Sequence, residues 1–380
     1  MTVYDSLIDQ GEAVTILKDA VTSAKDEADK TQGMTHAWLF TGPPGSGRSN
    51  AALAFAAALV CSKDGCGTCT DCVTALKGSH GDVELIRTEG LSIKIDEVRE
   101  LITRASWAPA IAPYRVVVIE DSDRLTESAG NALLKAIEEP GLRTVWLLCA
   151  PTLTDVLPTI RSRTRNITLR TPSISAVVKL LESELISTNI AQASARASQG
   201  HIGRARYLAN HPDARTRRED ILKLPLTITD IASAFKAAAN LVDAAKSTAE
   251  EDAEKKNDAE SAQLKEAWGQ QGSRVVAGGA KALKELEKEQ KSRQTRMVRD
   301  YLDAALLDIA TFYRDVMLAQ SGDTDSFINS EMSDQVTKMA HSTASEDTLR
   351  KLEVIMKTRV NLGHNAAPLL TIEAMMVQLR

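Results

Sequence analysis

Short apolar runs alternate with amphipathic or alanine-rich stretches between about residues 36 and 170 of this 380-residue chain. The apolar runs predict strands at 36–40, 83–86, 116–119 and 145–149. The stretches between them predict helices at 49–60, 95–105 and 129–138. Apolar strands separated by helices are typical of a doubly wound parallel sheet, because helices then cover both faces of the sheet. The fold class predicted for this part of the chain is therefore α/β.

The strand pattern ends after Pro172, and the remainder of the chain has the pattern of helices. Because 380 residues are too many for one ordinary core, we predict several domains. The predicted domains are an α/β domain at 1–172, a small helical domain at 173–212 and an all-α domain at 213–380. Within the last domain, residues 246–296 are dense in charge, and we expect a solvated, partly flexible segment with a glycine-containing break at 269–279.

A glycine-rich loop joins the first predicted strand to the first predicted helix. It consists of Gly42, Pro43, Pro44, Gly45, Ser46, Gly47, Arg48 and Ser49. Glycines in this context let backbone N–H groups approach phosphate oxygens, and the helix N-terminus adds a positive dipole end. The hydroxyl of Ser49 is placed to hold Mg²⁺, so the loop predicts a site for ATP and Mg²⁺. Arg48 stands where lysine is usual, and we expect weak or vestigial nucleotide binding because a guanidinium is bulkier than an ammonium group.

Two carboxylates, Glu120 and Asp121, follow the apolar strand at 116–119. An active ATPase of this type places aspartate first, to hold Mg²⁺, and glutamate second, to orient the attacking water. The reversed order changes the reach of each carboxylate by one methylene, about 1.3 Å. A misplacement near 1 Å can cost about a hundredfold in rate. We therefore assign both residues to the nucleotide site but expect poor hydrolysis, and a solvated strand end is the alternative interpretation.

Four of the five cysteines crowd into one short segment, at Cys61, Cys66, Cys69 and Cys72. In a reducing compartment, this clustering favours a metal site over disulfides. Four thiolates complete a tetrahedral shell, and Gly65 and Gly67 permit tight turns, so the sequence predicts a structural Zn²⁺ ion. An iron–sulfur cluster is the alternative, although the later Cys-Pro of the ferredoxin pattern is absent. Cys149 lies in an apolar run and is expected in the core.

Composition and charge narrow the classes of function. Aromatic residues make up 4% of the chain and the formal net charge is −5, which disfavours a zinc-dependent nucleic-acid binder. Contact with DNA would need a local basic patch, for which Lys94, Arg99 and Arg104 are candidates. The alternative is that these residues form an ordinary exposed surface without a ligand. The first ten residues are polar and acidic, and the longest apolar run, at 51–60, is too short to cross a bilayer. We expect a cytoplasmic protein without a membrane partner.

Three stretches resemble the clamp-loader family of bacterial replication: HAWLFTG at 36–42, NALLKAIEEP at 131–140 and SRT at 162–164. The resemblance covers about residues 5–210 well and the C-terminal part by architecture alone. It implies a P-loop domain of the AAA+ type with a zinc module at 61–72, followed by a helical lid and a helical collar that joins subunits.

The same resemblance implies a role for one arginine. In this family, a Ser-Arg-Cys motif marks an arginine finger that reaches into the ATP site of a neighbouring subunit. Arg163 matches that arginine, and Thr164 replaces the cysteine. A surface arginine is the alternative interpretation, because Arg161 and Arg165 lie alongside.

The resemblance also reveals departures in the ATP site. The family's ATPase subunit carries an arginine sensor on its lid, but here Gly203 holds that position and Arg204 lies one residue late, about 100° around a helix. Ala150 stands at the polar first-sensor position. An intact finger beside a degraded ATP site is similar to the delta-prime type of DNA polymerase III subunit, a stator, and the ATP-hydrolysing gamma/tau type is the alternative. The implied partners are gamma/tau and delta subunits in a ring, with the sliding clamp and primed DNA reached through that complex.

Overall fold

The computed structural model describes residues 2–25, 34–87, 92–267, 279–364 and 366–380. The chain forms two compact units, Met1–Ala209 and Asn210–Arg380. The separate lid expected at 173–212 stays a prediction, since its helices fall into the first unit up to Ala209.

The first unit contains a five-stranded parallel sheet. Its strands are β1 (Ala37–Thr41), β2 (Val83–Ile86), β3 (Arg115–Ile119), β4 (Thr144–Ala150) and β5 (Arg165–Thr168), in the spatial order β2-β3-β4-β1-β5. The parallel α/β fold class is therefore confirmed. Strand β5 was not predicted from the sequence, because only Ile167 of this edge strand is buried and the strand lacks an apolar run.

Helices cover both faces of this sheet. Those of the first unit are α1 (Gly11–Lys25), α2 (Arg48–Val60), α3 (Thr70–Leu76), α4 (Ile95–Ala105), α5 (Glu127–Glu138), α6 (Pro158–Arg161), α7 (Ile174–Ser183), α8 (Thr188–Ala197) and α9 (Ile202–Asn210). Every residue of α2 from Ala51 to Val60 is buried, and its alanines allow close packing against the sheet. The ring of Phe55 on α2 meets that of Trp38 on β1 edge to face, with 5.0 Å between centroids.

The second unit is helical over its described residues, as the sequence predicts. Its helices are α10 (Pro212–Thr227), α11 (Ile231–Ala267), α12 (Gly279–Gln320), α13 (Ser333–Ser342), α14 (Ser345–Gly363) and α15 (Pro368–Gln378). Leu302, Leu306 and Phe312 of α12 are fully buried in the centre of its core. The described parts of the charged segment 246–296 belong to α11 and α12, whereas the predicted glycine break at 269–279 lies outside the described residues except for Gly279.

Candidate functional site

The glycine-rich loop lies between the carboxyl end of β1 and the N-terminus of α2. Gly45 and Gly47 have φ values of +86° and +87°, a left-handed conformation that glycine adopts without strain. At Gly45 the space is also restricted, because a Cβ there would lie 2.5–2.6 Å from three atoms of His201. The conformation of the loop therefore depends on glycine at these two positions.

The charge of Arg48 is engaged within the loop itself. Its Nη1 atom donates a hydrogen bond to the carbonyl oxygen of Gly42 at 2.5 Å. Ser49 follows in the first turn of α2 and is half-buried, whereas Pro43 and Pro44 are exposed. The guanidinium that stands in place of the lysine is thus held by the protein's own backbone.

Ser46 is buried in this loop, at 2% exposure, and its Oγ atom has no hydrogen-bond partner among the described residues. The loop is also braced from outside by Gln10. The Nε2 atom of Gln10 donates to the carbonyl oxygens of Ser46, at 3.3 Å, and Arg170, at 2.6 Å. Sequence reasoning missed Gln10, since a glutamine more than thirty residues upstream gives no local signal.

His201 is a second residue of this site that the sequence analysis did not single out. It precedes α9, and its Nδ1 atom accepts a hydrogen bond from the backbone N–H of Arg204 at 3.2 Å. Burial lowers the pKa of His201, and the positive charges of Arg204 and Arg48 lower it further. A neutral imidazole therefore packs against the phosphate loop at Gly45, with Gly203 next to the ring.

The two carboxylates at the end of β3 are paired with arginines. Glu120 Oε1 lies 3.1 Å from Arg87 Nε, and Asp121 Oδ2 lies 3.9 Å from Arg124 Nε. Their negative charge is thus partly compensated within the chain. In the adjacent strand β4, Cys149 is fully buried, which confirms it as a core residue, and burial raises the pKa of its thiol.

The residue that follows the carboxyl end of β4 is hydrogen-bonded to the glycine-rich loop. The backbone N–H of Gly42 donates to the carbonyl oxygen of Pro151 at 3.1 Å. Ala150 itself is buried and, as an alanine, has no side-chain group that could bond to a nucleotide. The loop is therefore supported here by the backbone of Pro151, next to Ala150.

Arg163 lies between α6 and β5 and remains 41% exposed. Its Nε atom donates to Glu138 Oε1 at 2.5 Å, and its Nη1 atom donates to the carbonyl oxygen of Thr159 at 3.0 Å. Glu138 is the last residue of α5, within the NALLKAIEEP stretch. The guanidinium is consequently oriented by its own chain while one side stays open to solvent.

The cysteine cluster forms a compact set of four sulfur ligands. The Sγ atoms of Cys61, Cys66, Cys69 and Cys72 all lie within 4.8 Å of one another. Cys61 Sγ is 3.8 Å from that of Cys66 and 3.7 Å from that of Cys69. A tetrahedral ion with metal–sulfur bonds of about 2.3 Å requires sulfur–sulfur distances of about 3.8 Å. The four cysteines can therefore hold a metal ion.

The turns around this cluster depend on glycine and on the chain's N-terminus. Gly65 and Gly67 have φ values of +88° and +74°, and the carbonyl oxygen of Gly65 accepts from the backbone N–H of Val3 at 3.0 Å. Backbone N–H groups of Thr68 and Cys69 lower the pKa of Cys66 to about 6. These hydrogen bonds favour the thiolate of Cys66, which is the form that binds metal.

The basic residues considered for DNA contact lie on or beside α4. Arg99 Nη1 is 3.6 Å from Asp96 Oδ1, and Arg104 Nε is 2.6 Å from Glu84 Oε1. Because both arginines face carboxylates, this helix presents little uncompensated positive charge, and plain surface is the better interpretation.

The first unit is similar to a known family of proteins. The family model described as "DNA polymerase III, delta subunit" matches residues 17–173. This part of the chain is similar to clamp-loader subunits. A DNA polymerase III subunit delta' of Pseudomonas aeruginosa is 35% identical over 134 residues, which are 34% of this chain and 41% of that protein. The delta' subunit of Bacillus subtilis is 28% identical over 194 residues, which are 50% of this chain and 59% of that protein.

Relatives of the gamma/tau type are also similar to this chain. A DNA polymerase III subunit gamma/tau of Mycobacterium bovis is 31% identical over 175 residues, which are 45% of this chain and 30% of that protein. The chain thus spans between about a third and three fifths of the length of these relatives. The family resemblance inferred from the three sequence stretches is confirmed. Among the described residues, no helix is both long and apolar enough to cross a membrane.

Proposed function

We propose that this protein is a delta-prime-like subunit of a bacterial DNA polymerase III clamp loader. In this role it is a cytoplasmic stator that assembles with gamma/tau and delta subunits and helps to load the sliding clamp on primed DNA. It supplies Arg163 to the ATP site of a neighbouring subunit and turns over little ATP itself. The single observation that carries the proposal is the hydrogen bond from Arg48 to the carbonyl oxygen of Gly42.

That hydrogen bond engages the one charge that could replace the missing lysine. For Arg48 to contact β- and γ-phosphates, the guanidinium would have to leave an acceptor at 2.5 Å. The pairing of Glu120 with Arg87 and of Asp121 with Arg124 adds to this cost, because these carboxylates would exchange an arginine for Mg²⁺. These features together support weak nucleotide binding and poor hydrolysis.

The second part of the proposal concerns Arg163. An arginine finger must be accessible, and it gains from being held in one orientation before the neighbour's ATP arrives. Arg163 is 41% exposed and is oriented by Glu138 and by the carbonyl oxygen of Thr159. This combination supports a role in trans, where the guanidinium stabilises charge on the transferring phosphoryl group.

We also propose that the four cysteines hold a structural Zn²⁺ ion. Four thiolates leave no open ligand position, so the ion supports the fold and takes no part in chemistry. The tie between Val3 and Gly65 links the N-terminal segment to this module, and Lys25 Nζ donates to the carbonyl oxygen of Cys61 at 2.5 Å. Metal analysis of the purified chain should find one equivalent of zinc and no iron.

The proposal is tested with the purified chain and with a reconstituted complex. Alone, the chain should hydrolyse ATP near the background rate. Together with gamma/tau and delta subunits, sliding clamp and primed DNA, it should raise ATP turnover and clamp loading. Arg163→Ala should then lower turnover at the one ATP site that Arg163 serves by about 10³-fold or more, the scale of an arginine finger, and should slow clamp loading.

Arg161→Ala is the matched control, because Arg161 is an exposed arginine two residues away. It should leave turnover within about twofold of the unaltered complex. Vigorous hydrolysis by the chain alone would favour the alternative, the ATP-hydrolysing gamma/tau type. This alternative is kept because some relatives of the chain are gamma/tau subunits. Equal effects of the two substitutions would remove the special role of Arg163.

A further inference from the structure

A short segment near the start of the chain connects the cysteine cluster to the glycine-rich loop. At one end of it, the backbone N–H of Val3 donates to the carbonyl oxygen of Gly65, in the turns of the cluster, at 3.0 Å. At the other end, the side chain of Gln10 donates to the carbonyl oxygen of Ser46, in the loop, at 3.3 Å. Residues 2–10, which we call the strap, therefore contact both sites.

At the metal end, the strap packs on the two turns that place one of the cysteines. A Cβ atom added at Gly65 would lie 2.6 Å from Val3 Cγ2. One added at Gly67 would lie 3.1 Å from the carbonyl carbon of Thr2. These two glycines flank Cys66 in the sequence. Because a bound metal ion holds such turns in place and its loss releases them, the surface on which Val3 packs depends on the ion.

Between its two ends the strap is compact and buried. The backbone N–H of Leu7 donates to the carbonyl oxygen of Tyr4 at 2.9 Å, which closes a turn. The side chains of Tyr4 and Leu7 lie in the same apolar core as Cys61 and Cys72. A short segment that is folded into turns and packed in this way has little slack, so a displacement at the metal end reaches the loop end.

At the loop end, Gln10 sets the direction of one backbone group of the loop. Gln10 is 4% exposed, and its Oε1 atom accepts from the backbone N–H of Arg170 at 3.2 Å while its Nε2 atom donates to Ser46. Because a trans peptide unit is planar, the carbonyl group of Ser46 and the N–H of Gly47 point in opposite directions. By holding that carbonyl group, Gln10 fixes the direction of the Gly47 N–H. Backbone N–H groups at this position of a glycine-rich loop are those that approach phosphate.

Helix α2 also connects the loop to the cysteine cluster, but its position does not depend on the ion. All of its residues from Ala51 to Val60 are buried. The backbone N–H of Cys61 bonds to the carbonyl oxygen of Ala57 at 3.1 Å, which continues the hydrogen-bond pattern of the helix. Because these contacts do not involve the metal ligands' sulfur atoms, we expect α2 to stay in place without the ion. The strap is then the connection that changes.

We propose that metal occupancy of the cysteine cluster controls the conformation of the glycine-rich loop through the strap. The inference rests on the proposed metal site and gives the ion a role beyond support of the local fold. With the ion bound, the strap is docked and Gln10 holds the carbonyl group of Ser46. Without the ion, the strap detaches and the loop loses this hydrogen bond. Coupling between two sites typically changes an equilibrium constant by about 5–150-fold.

The test is hydrogen exchange of the full-length chain, followed by mass spectrometry with zinc bound and after its removal by a chelator. Peptides that cover residues 42–49 should exchange at least about fivefold faster without zinc and should recover when zinc is added back. Peptides from β3 should exchange at the same rate in both states. Faster exchange in β3 as well would overturn the proposal, because the ion would then hold the whole first unit.

Zinc is measured in every sample, so that two kinds of failure can be told apart. Loss of zinc without a change in the exchange of the loop would refute the coupling and leave the proposed metal site intact. A purified chain without any bound metal would refute the proposed metal site, and the coupling with it.

Two variants of the strap test the route of the coupling. Gln10→Met removes the hydrogen bond to the loop at similar side-chain volume, so the loop should exchange fast with or without zinc, at unchanged zinc content. Asp9→Asn is the matched control. Asp9 has a φ of +58°, which asparagine tolerates, and its Oδ2 atom accepts from the backbone N–H of Ser173 at 2.8 Å, outside the loop. This variant should keep the zinc response.

A zinc response that persists in Gln10→Met overturns the proposal, since α2 would then carry the coupling. Equal loss of the response in Asp9→Asn also overturns it, because the bond to Ser46 would have no special role. If Gln10→Met does not fold, Val3→Ala decides the question. It removes the Cγ2 atom that packs on Gly65 and should reduce the zinc response of the loop, and a full response in this variant would equally refute the proposal.

Discussion

Substituting Gly45 tests whether His201 packs on the glycine-rich loop, because Gly47 provides a nearly identical control. Both have left-handed backbones, with φ values of +86° and +87°. An added Cβ at Gly45 would lie within 2.5–2.6 Å of the Cγ, Cα and Cβ atoms of His201, whereas at Gly47 it would meet nothing within 4 Å. Alanine at the two positions thus has the same backbone strain and differs in the contact with His201.

The magnitudes follow from these two contributions. A left-handed conformation costs an alanine about 1–2 kcal/mol, so Gly47→Ala should destabilise the first unit by that amount. Overpacking typically adds about 1–3 kcal/mol, so Gly45→Ala should cost about 2 kcal/mol more than Gly47→Ala. For a unit of this size, each kcal/mol corresponds to a change in Tm of about 2–4 °C. The two variants should therefore differ by about 4–8 °C.

The assay is thermal unfolding of both variants and of the unaltered chain, with metal content held constant. His201→Gly combined with Gly45→Ala removes two of the three conflicting atoms and should recover part of the difference. The same substitution combined with Gly47→Ala should recover none. Equal Tm values for Gly45→Ala and Gly47→Ala would refute the reasoning, because His201 would then not be packed on the loop.

Three further predictions concern the nucleotide site, the cysteines and a buried carboxylate. Arg48→Lys should tighten ATP binding by calorimetry but not restore phosphate release, because the two carboxylates remain reversed; restored turnover would contradict this. Cys66→Ala should abolish stoichiometric metal binding, whereas Cys149→Ala should retain it in the same metal analysis. Burial opposes ionisation of Asp82, but backbone N–H donors from Ala112, Ala110 and Ile111 outweigh it and lower its pKa. The stability from Asp82 is thus present above the unfolded pKa of about 4 and is lost as pH falls through the lower folded value. Asp82→Asn should cost about 2–4 kcal/mol at pH 7 and flatten the acid dependence, and an unchanged profile would exclude this account.

Local patterns in the sequence were sufficient to predict those features that are built from residues close together in the chain. The Sγ atoms of the four cysteines lie close together because the cysteines fall within twelve residues of chain, in which Gly65 and Gly67 allow tight turns. Strands β1, β3 and β4 were predictable because their buried residues form continuous apolar runs. Strand β5 was not predictable in this way, because its residues are mostly polar and join the sheet edge by pairing with β1.

Features that join distant residues were decided by tertiary structure. The sequence identified Arg48 as unusual, but its bond to Gly42 depends on the conformation of the loop, and His201 reaches Gly45 from far along the chain. Likewise, the charge of the segment 246–296 suggested solvated chain, since composition does not reveal that Arg293 is buried against Glu260. Periodicity and spacing determine local structure, whereas the pairing of distant polar groups depends on how the folded helices and strands place them.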